Sequence, residues 1–414
     1  VGPGRLGVVV RVAVLAFGSR GDTQPCVALA GGLLARGHRV TLVAAPRYGP
    51  LAEGAATVFA PLGVDPVAIV ESPEGQAWLR GGPLAFVRGF RTVVEPLAQR
   101  LVAEVDEACA GADLVLAPAL GAFGRHLHDR YGMPYAILQF QPSEPTGEFP
   151  NPLVPLRTLG GMGNRLSYAV VERLGWLALA RMVNRLRARS LGLGPLRGSP
   201  FAADRRDRVP VLCGVSPLVV PRPRDWPEYA HLTGYWRLPE RPPLPDSDGL
   251  EGFLRAGPPP VYVGFGSMAP AEPERVAERV VAGLRLARLR GIVQGLPVTA
   301  SDDVLPVGEV DHARLFPRLA GVVHHGGAGT AGTVLTAGVP GLICPFFSDQ
   351  PFWGRRVAAL GVGPPPLPIG ELTAEALAAR LRYVPKYREK AAQLGRLLRV
   401  EDGVKNALDL IERY

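Results

Sequence analysis

The 414-residue sequence predicts an α/β protein made of two doubly wound domains that face each other across a cleft. Three observations carry that prediction. Short apolar runs of strand character alternate with longer helical stretches along the chain. A proline-dense stretch, 221–260, divides this alternation into two rounds. In the second round a glycine-rich turn, His324-His325-Gly326-Gly327-Ala328-Gly329-Thr330, joins an apolar run to a helical pattern of small residues.

The first round opens with a strand over 8–17, whose valine-rich run contains Arg11 and leads directly into a turn, so it reads as a strand and not as a signal peptide. A turn at 18–23, a helix over 24–36 closed by Gly37, and a strand over 39–45 complete a right-handed βαβ unit. Further strands are expected at 57–61, 113–117, 134–140 and 209–214, with helices over 85–109 and 166–189. The second round predicts a strand over 261–265, a helix over 273–289, a strand over 291–294, and then the glycine-rich region. Domain boundaries follow: 1–221, a stiff connector over 222–255, and 256–395, with a helix over 396–414.

Composition narrows the class. Hydrophobic residues at 47% and charged residues at 20% are those of a folded globular chain. Four scattered cysteines, Cys26, Cys109, Cys213 and Cys344, read as reduced core residues. The net charge of +9 is carried by arginine, with only Lys386, Lys390 and Lys405 as lysine. No nucleic-acid module accompanies that charge, so nucleic acid is not an expected partner. A cytoplasmic protein is expected, with peripheral contact at the inner membrane face as a further option.

The glycine-rich turn is a strand, a tight turn and a helix N-terminus. Its free N–H groups and the positive end of the helix dipole suit a diphosphate, although such turns also serve plain strand-to-helix packing. After the next apolar strand come Asp349 and Gln350, at the carboxyl end where open sheets place ligands. The carboxylate accepts hydrogen bonds and the amide can donate and accept, which suits sugar hydroxyls; the same pair also fits the start of a helix. A phosphate cradle beside a hydroxyl reader indicates a nucleotide sugar. In the first round, Asp22 lies after the first strand at the equivalent edge, where it fits either a general base or a helix N-cap. His126 and His128 are candidates to assist it. Adjacent histidines do not converge on one ion, and Asp246-Ser247-Asp248 lies in a proline-rich loop, so no metal site is expected.

With HHGGAGT at 324–330, PFFSDQPFWG at 345–354, GSRGDTQP at 18–25, FPNPL at 149–153 and TGYW at 233–236, the whole chain resembles two-domain glycosyltransferases of the GT-B fold. The likeness extends to sterol 3-beta-glucosyltransferases with their bacterial relatives and to vancomycin-group aglycone glycosyltransferases. It implies two Rossmann-like domains, the first binding the acceptor and the second the donor, with the end of the chain crossing back to the first. It implies Asp22 as the general base of an inverting, metal-independent transfer, with Ser19 and Arg20 as possible contacts. Gly266, Ser267, His324, His325, Gly326, Gly327, Ala328, Gly329 and Thr330 would hold the donor diphosphate, and Asp349 and Gln350 the sugar. The expected reaction moves glucose from UDP-glucose to a hydrophobic, sterol-like or polycyclic acceptor, without a cofactor. The alternatives are natural-product glycosylation from a UDP- or TDP-sugar, and a silent nucleotide-sugar-binding protein. Trp78, Leu79, Phe86, Phe90, Phe140 and Phe149 are candidate acceptor contacts, and Arg80, Arg88 and Arg91 candidates for an anionic membrane surface. Gly332 stands where plant relatives carry a ribose-binding glutamate.

Overall fold

The computed structural model describes residues 9–65, 68, 95–239, 249–266, 268 and 270–413. They contain a seven-stranded and a five-stranded sheet, both wholly parallel. The first comprises β1 (Arg11–Ala16), β2 (Arg39–Ala44), β3 (Val58–Pro61), β4 (Leu114–Pro118), β5 (Tyr135–Gln139), β6 (Val211–Cys213) and β7 (Ala230–Leu232), in the order 3-2-1-4-5-6-7.

Its strands read as continuous apolar runs because both faces are covered. Successive side chains of β1 point to opposite faces: Val12, Val14 and Ala16 join Cys26, Leu29 and Leu33 of α1 (Arg20–Ala35), while Ala13 and Leu15 join Val102 and Val105 of α2 (Glu95–Cys109). Each fully buried Val or Leu contributes about 1.5–3 kcal/mol. Two more helices, α3 (Phe123–Tyr131) and α4 (Gly160–Leu191), complete the larger elements of this domain.

The second sheet holds β8 (Val261–Gly264), β9 (Gly291–Gln294), β10 (Val304–Val307), β11 (Gly321–His324) and β12 (Gly341–Ile343), in the order 10-9-8-11-12. It carries α5 (Pro273–Leu286), α6 (Ala328–Ala337), α7 (Gln350–Leu360), α8 (Ala374–Arg382) and α9 (Val384–Val400). In each sheet the first strand lies between strands reached in opposite directions, β1 between β2 and β4 and β8 between β9 and β11. Their carboxyl ends are the switch points at which this topology opens a crevice.

Three features differ from the expectations. β7 falls inside the 222–255 segment expected to be a connector, and β10 was not anticipated. Both are short edge strands, and Pro306 is tolerated in β10 because an edge strand can spare an N–H. Helix α1 starts at Arg20 instead of 24 and runs through Pro25, which has no N–H to return to the Gly21 carbonyl. Within 396–414, residues up to Val400 continue α9, and a separate helix, α10 (Gly403–Ile411), packs on α1. A Cβ on Gly32 of α1 would lie 2.6 Å from Val404 and 2.8 Å from Leu408, so only glycine admits α10 this closely. A core containing Cys213, Val215, Val219 and Val220 together with Ala331, Ile343, Phe352 and Trp353 joins the two domains. All four cysteines are free and buried.

Candidate active site

The turn after β1 is shaped around Asp22. Gly18 has φ +116°, and a Cβ there would lie 2.5 Å from the Asp22 carboxylate, so glycine lets the carboxylate fold back over the turn. The N-cap of α1 is Ser19, not Asp22, which occupies the third helical position. Oδ2 of Asp22 accepts hydrogen bonds from the Ser19 N–H and from the Ser19 hydroxyl, each at 2.9 Å. Burial nonetheless raises the Asp22 pKa above its ordinary value of 3.8; the Ser19 bonds oppose that rise and the charge of Asp349 adds to it. A carboxylate with raised proton affinity is a better base than an ordinary one.

Neither expected helper reaches Asp22. His126 is buried against the Arg187 guanidinium at 2.9 Å, and Nδ1 of His128 bonds the Met133 carbonyl at 2.9 Å. Asp22 is held by Ser19 instead. Arg20 reaches across the cleft to an ion pair with Glu309, in the loop after β10. Both partners are at least half exposed, so this pair orients the two loops more than it stabilises them.

On the second domain, His324 ends β11 and His325 follows it, and the two go to different places. His324 is fully buried; its Nδ1 accepts the Gly326 N–H at 3.2 Å and its Nε2 has no partner. It therefore faces the core, at the last position of β11. His325 stands at the mouth: a Cβ on Gly266 would lie 3.1 Å from its Cε1, and one on Gly327 2.5 Å from its Nε2. Those glycines make room for the imidazole. Gly266 also has φ +61° and carries the turn after β8 to this point. Burial lowers both histidines, His325 to about 4, so both are neutral near pH 7.

Gly327 is the N-cap of α6, and the first helical bond runs from the Ala331 N–H to the Gly327 carbonyl at 2.9 Å. The N–H groups of Ala328, Gly329 and Thr330 consequently have no helical acceptor, as an anion site requires. Gly326, with φ +95°, makes the preceding bend. Ser267 lies outside the described residues.

After β12, Ser348 is held at φ +62°, a left-handed conformation costly for a residue other than glycine. It presents Asp349, whose Oδ2 accepts from the indole N–H of the buried Trp353 at 2.8 Å. Burial raises the pKa of Asp349 as well. Gln350 differs from expectation. Its carbonyl oxygen accepts the N–H groups of Phe346 at 2.7 Å and Phe347 at 3.2 Å, so it secures its own loop and keeps only its amide protons for a ligand.

The two glycine turns meet. A Cβ on Gly329 would lie 3.2 Å from the Cα of Gly21 and 3.4 Å from its carbonyl oxygen, the same carbonyl that Pro25 leaves without a helical donor. The opening turn of α1, with Asp22, and the start of α6 therefore lie side by side. Gly332 does not open toward this junction: a Cβ there would lie 2.8 Å from the Tyr235 ring, which fills that space. Phe149 packs on Phe352 of α7 at 5.5 Å, close to Asp349 and Gln350 in the chain, whereas Phe140 packs on Trp236 in the first core. Trp78, Leu79, Phe86, Phe90, Arg80, Arg88, Arg91 and Asp246-Ser247-Asp248 lie outside the described residues. Among the described residues no three His, Cys, Asp or Glu side chains converge as a metal-binding set, and no helix is long and apolar enough to cross a membrane.

Comparison with known proteins agrees with this architecture. Residues 12–150 match the glycosyltransferase family 28 N-terminal domain, and residues 275–398 match the erythromycin biosynthesis protein CIII-like C-terminal domain. An O-mycaminosyltylonolide 6-deoxyallosyltransferase of Streptomyces fradiae is 37% identical over 98% of this chain and 97% of its own length. A sterol 3-beta-glucosyltransferase of Arabidopsis thaliana is 32% identical over 98% of this chain and 68% of its own length. Among solved structures, the glycosyltransferase of kitacinnamycin superposes with a TM-score of 0.70 at 21% identity, covering 98% of this chain and 99% of that one. The chain belongs to the GT-B glycosyltransferases that join a family 28 N-terminal domain to an erythromycin-CIII-like C-terminal domain, a group that includes sterol glucosyltransferases and macrolide glycosyltransferases.

Proposed function

We infer that the protein is an inverting, metal-independent glycosyltransferase that moves a hexose from a nucleoside diphosphate sugar to a hydroxyl of a hydrophobic acceptor. The observation that supports this reading is the meeting of the Gly21 and Gly329 turns, which brings the opening turn of α1, with Asp22, beside the opening turn of α6. In this reading the Asp22 carboxylate takes the acceptor proton as the acceptor oxygen bonds the anomeric carbon. The bond from that carbon to the diphosphate breaks, and its electron pair stays on the departing phosphate oxygen. The Ala328, Gly329 and Thr330 N–H groups and His325 meet the charge that develops there. Asp349 accepts hydrogen bonds from the sugar hydroxyls and fixes the face presented to the acceptor.

The proposed donor is UDP-glucose and the proposed acceptor a sterol-like or polycyclic lipid. A second reading, transfer of a 6-deoxyhexose from a dTDP donor to a macrocyclic aglycone, is favoured by the deoxyallosyltransferase, which matches at 37% identity along both full lengths. Asp349 suits either sugar, because ring hydroxyls are present in both. The test is nucleotide release and mass detection of products, with UDP-glucose, dTDP-glucose and a dTDP-6-deoxyhexose each offered a panel of sterols and macrolide aglycones. A conjugate formed by the wild type and absent with Asp22→Asn supports the reading and identifies donor and acceptor. Equal conjugation by both proteins removes Asp22 as base, and nucleotide binding without any conjugate favours a silent binding protein.

A further inference from the structure

Helix α4 is 32 residues long, about 48 Å at 1.5 Å per residue, and one of its faces has no partner among the described residues. Asn164, Tyr168, Leu186, Arg187 and Leu191 face inward. On the outer side Leu159 at its start, Met162, Leu166, Val170, Leu174 and Leu177 recur at intervals of three and four residues and share a face. They are strongly exposed, Met162 at 89%, Leu166 and Leu174 at 62% and Leu177 at 65%. Isolated exposed leucines are ordinary, but a run of large apolar side chains along one helix is the signature of an interaction surface.

Charge distinguishes the occupants. The helix contains six arginines, and its single acid, Glu172, is bound to Arg205. Arg173 and Arg181 are spaced to lie within the apolar stripe, and both are exposed. A second copy packed face to face would set these arginines against their own images, and the one acid on the helix is already engaged by Arg205. An anionic lipid surface satisfies both features, since apolar side chains enter the headgroup boundary while arginines meet phosphates. The stripe also continues toward the cleft: exposed Leu153 and Leu156 precede the helix, and the Pro155 carbonyl between them accepts from Arg355 of α7 at 3.1 Å. Arg355 lies in the helix that begins at Gln350, next to the sugar loop.

We propose that the outer face of α4, with the 153–159 segment, docks the enzyme on an anionic lipid surface and holds the mouth of the cleft against that surface. The link to a lipid-borne acceptor rests on the function proposed above; docking itself does not. The experiment is flotation of the full chain with vesicles of phosphatidylcholine alone and of phosphatidylcholine with phosphatidylglycerol in equal parts. Leu166→Glu/Leu174→Glu and Arg173→Glu/Arg181→Glu are compared with Arg388→Glu/Arg396→Glu, a control on α9 with the same change in charge as the arginine pair. Binding to the mixed vesicles, weakened at least about tenfold by either α4 pair and by neither more than twofold in the control, is the expected result. Circular dichroism and nucleotide affinity are expected to stay unchanged in all three, which separates loss of docking from loss of folding or of donor binding. Three results would overturn the proposal: no binding to mixed vesicles; loss with the arginine pairs on both helices but not with the leucine pair, which is adsorption by net charge; or a concentration-dependent dimer in sedimentation that Leu166→Glu/Leu174→Glu dissolves.

Discussion

The turn after β1 and the turn after β11 lie at the carboxyl ends of the two sheets, yet they carry opposite chemistry. Each stands beside a switch point, and each is a glycine turn running into a helix N-terminus. The first places a carboxylate, Asp22, in the opening turn of α1, ties it to Ser19, and uses burial to strengthen its hold on a proton. The second has no acid in the opening turn of α6, leaves three N–H groups open, and sets a neutral imidazole beside them. In the proposed reading one topology supplies a proton acceptor on one wall and an anion acceptor on the other, and the residue type in the first helical turn decides which.

The largest test of this contrast is Asp22→Asn. Loss of the base is expected to lower kcat by about 10²–10⁴-fold. Calorimetric affinity for the nucleotide is expected to be unchanged, because the second wall is intact. The same change is expected to raise the melting temperature at neutral pH. Since the folded state raises the pKa of Asp22, any stability from protonating it is present at low pH and lost as pH rises through the folded value; asparagine keeps a neutral side chain throughout. A kcat within tenfold of wild type would end the assignment of roles to the two walls.

Next in size is the division of the histidine pair. His325→Ala is expected to reduce kcat by about 10²-fold, as removal of one donor to a developing oxyanion does. His324→Ala is expected to leave kcat within a few-fold and to lower unfolding free energy by about 2–4 kcal/mol, since it empties a fully buried site. Denaturant titration and steady-state kinetics on both variants would show the reverse if His324 were the phosphate contact.

Smaller effects sharpen the coupling between the walls. The acid limb of kcat/KM is expected above the ordinary carboxylate range, since Asp22 must lose its proton to act. Asp349→Asn removes a negative charge that raises the Asp22 pKa, so the limb moves to lower pH; Ser19→Ala removes a hydrogen bond that lowers it, so the limb moves to higher pH. A pH profile of each variant reads position independently of height, and opposite movements would disconnect Asp22 from the limb. The smallest effect is that of Ser348→Gly, which releases a left-handed backbone next to Asp349 and is expected to change thermal stability by no more than about 1 kcal/mol.

Much of the frame was legible in the sequence because buried parallel strands read as continuous apolar runs, and β1, β2 and β9 lie within or close to their expected bounds. Two of the four edge strands were not, since Ala230–Leu232 and Val304–Val307 are short, sit among prolines or acids, and need bury less. Asp22 could be found from its place after the first strand, whereas its bond to Ser19 was hidden by Pro25, which suggested a later helix start. Which histidine faces the crevice depends on the strand face on which β11 ends, and adjacent identical residues carry no such signal. The approach of Gly21 to Gly329 is a contact between residues about three hundred positions apart, for which local pattern holds no information.

Helix α10 follows the second domain in the chain but lies in the core of the first, sealed against Gly32 by Val404 and Leu408. The second domain is therefore an insertion, entered after β7 and left after α9. Recombining donor modules between relatives of this group requires two cuts in the gene, with α10 kept alongside its own α1. A chimera made at one crossover would pair a foreign α10 with a helix whose glycine has no slack to receive it.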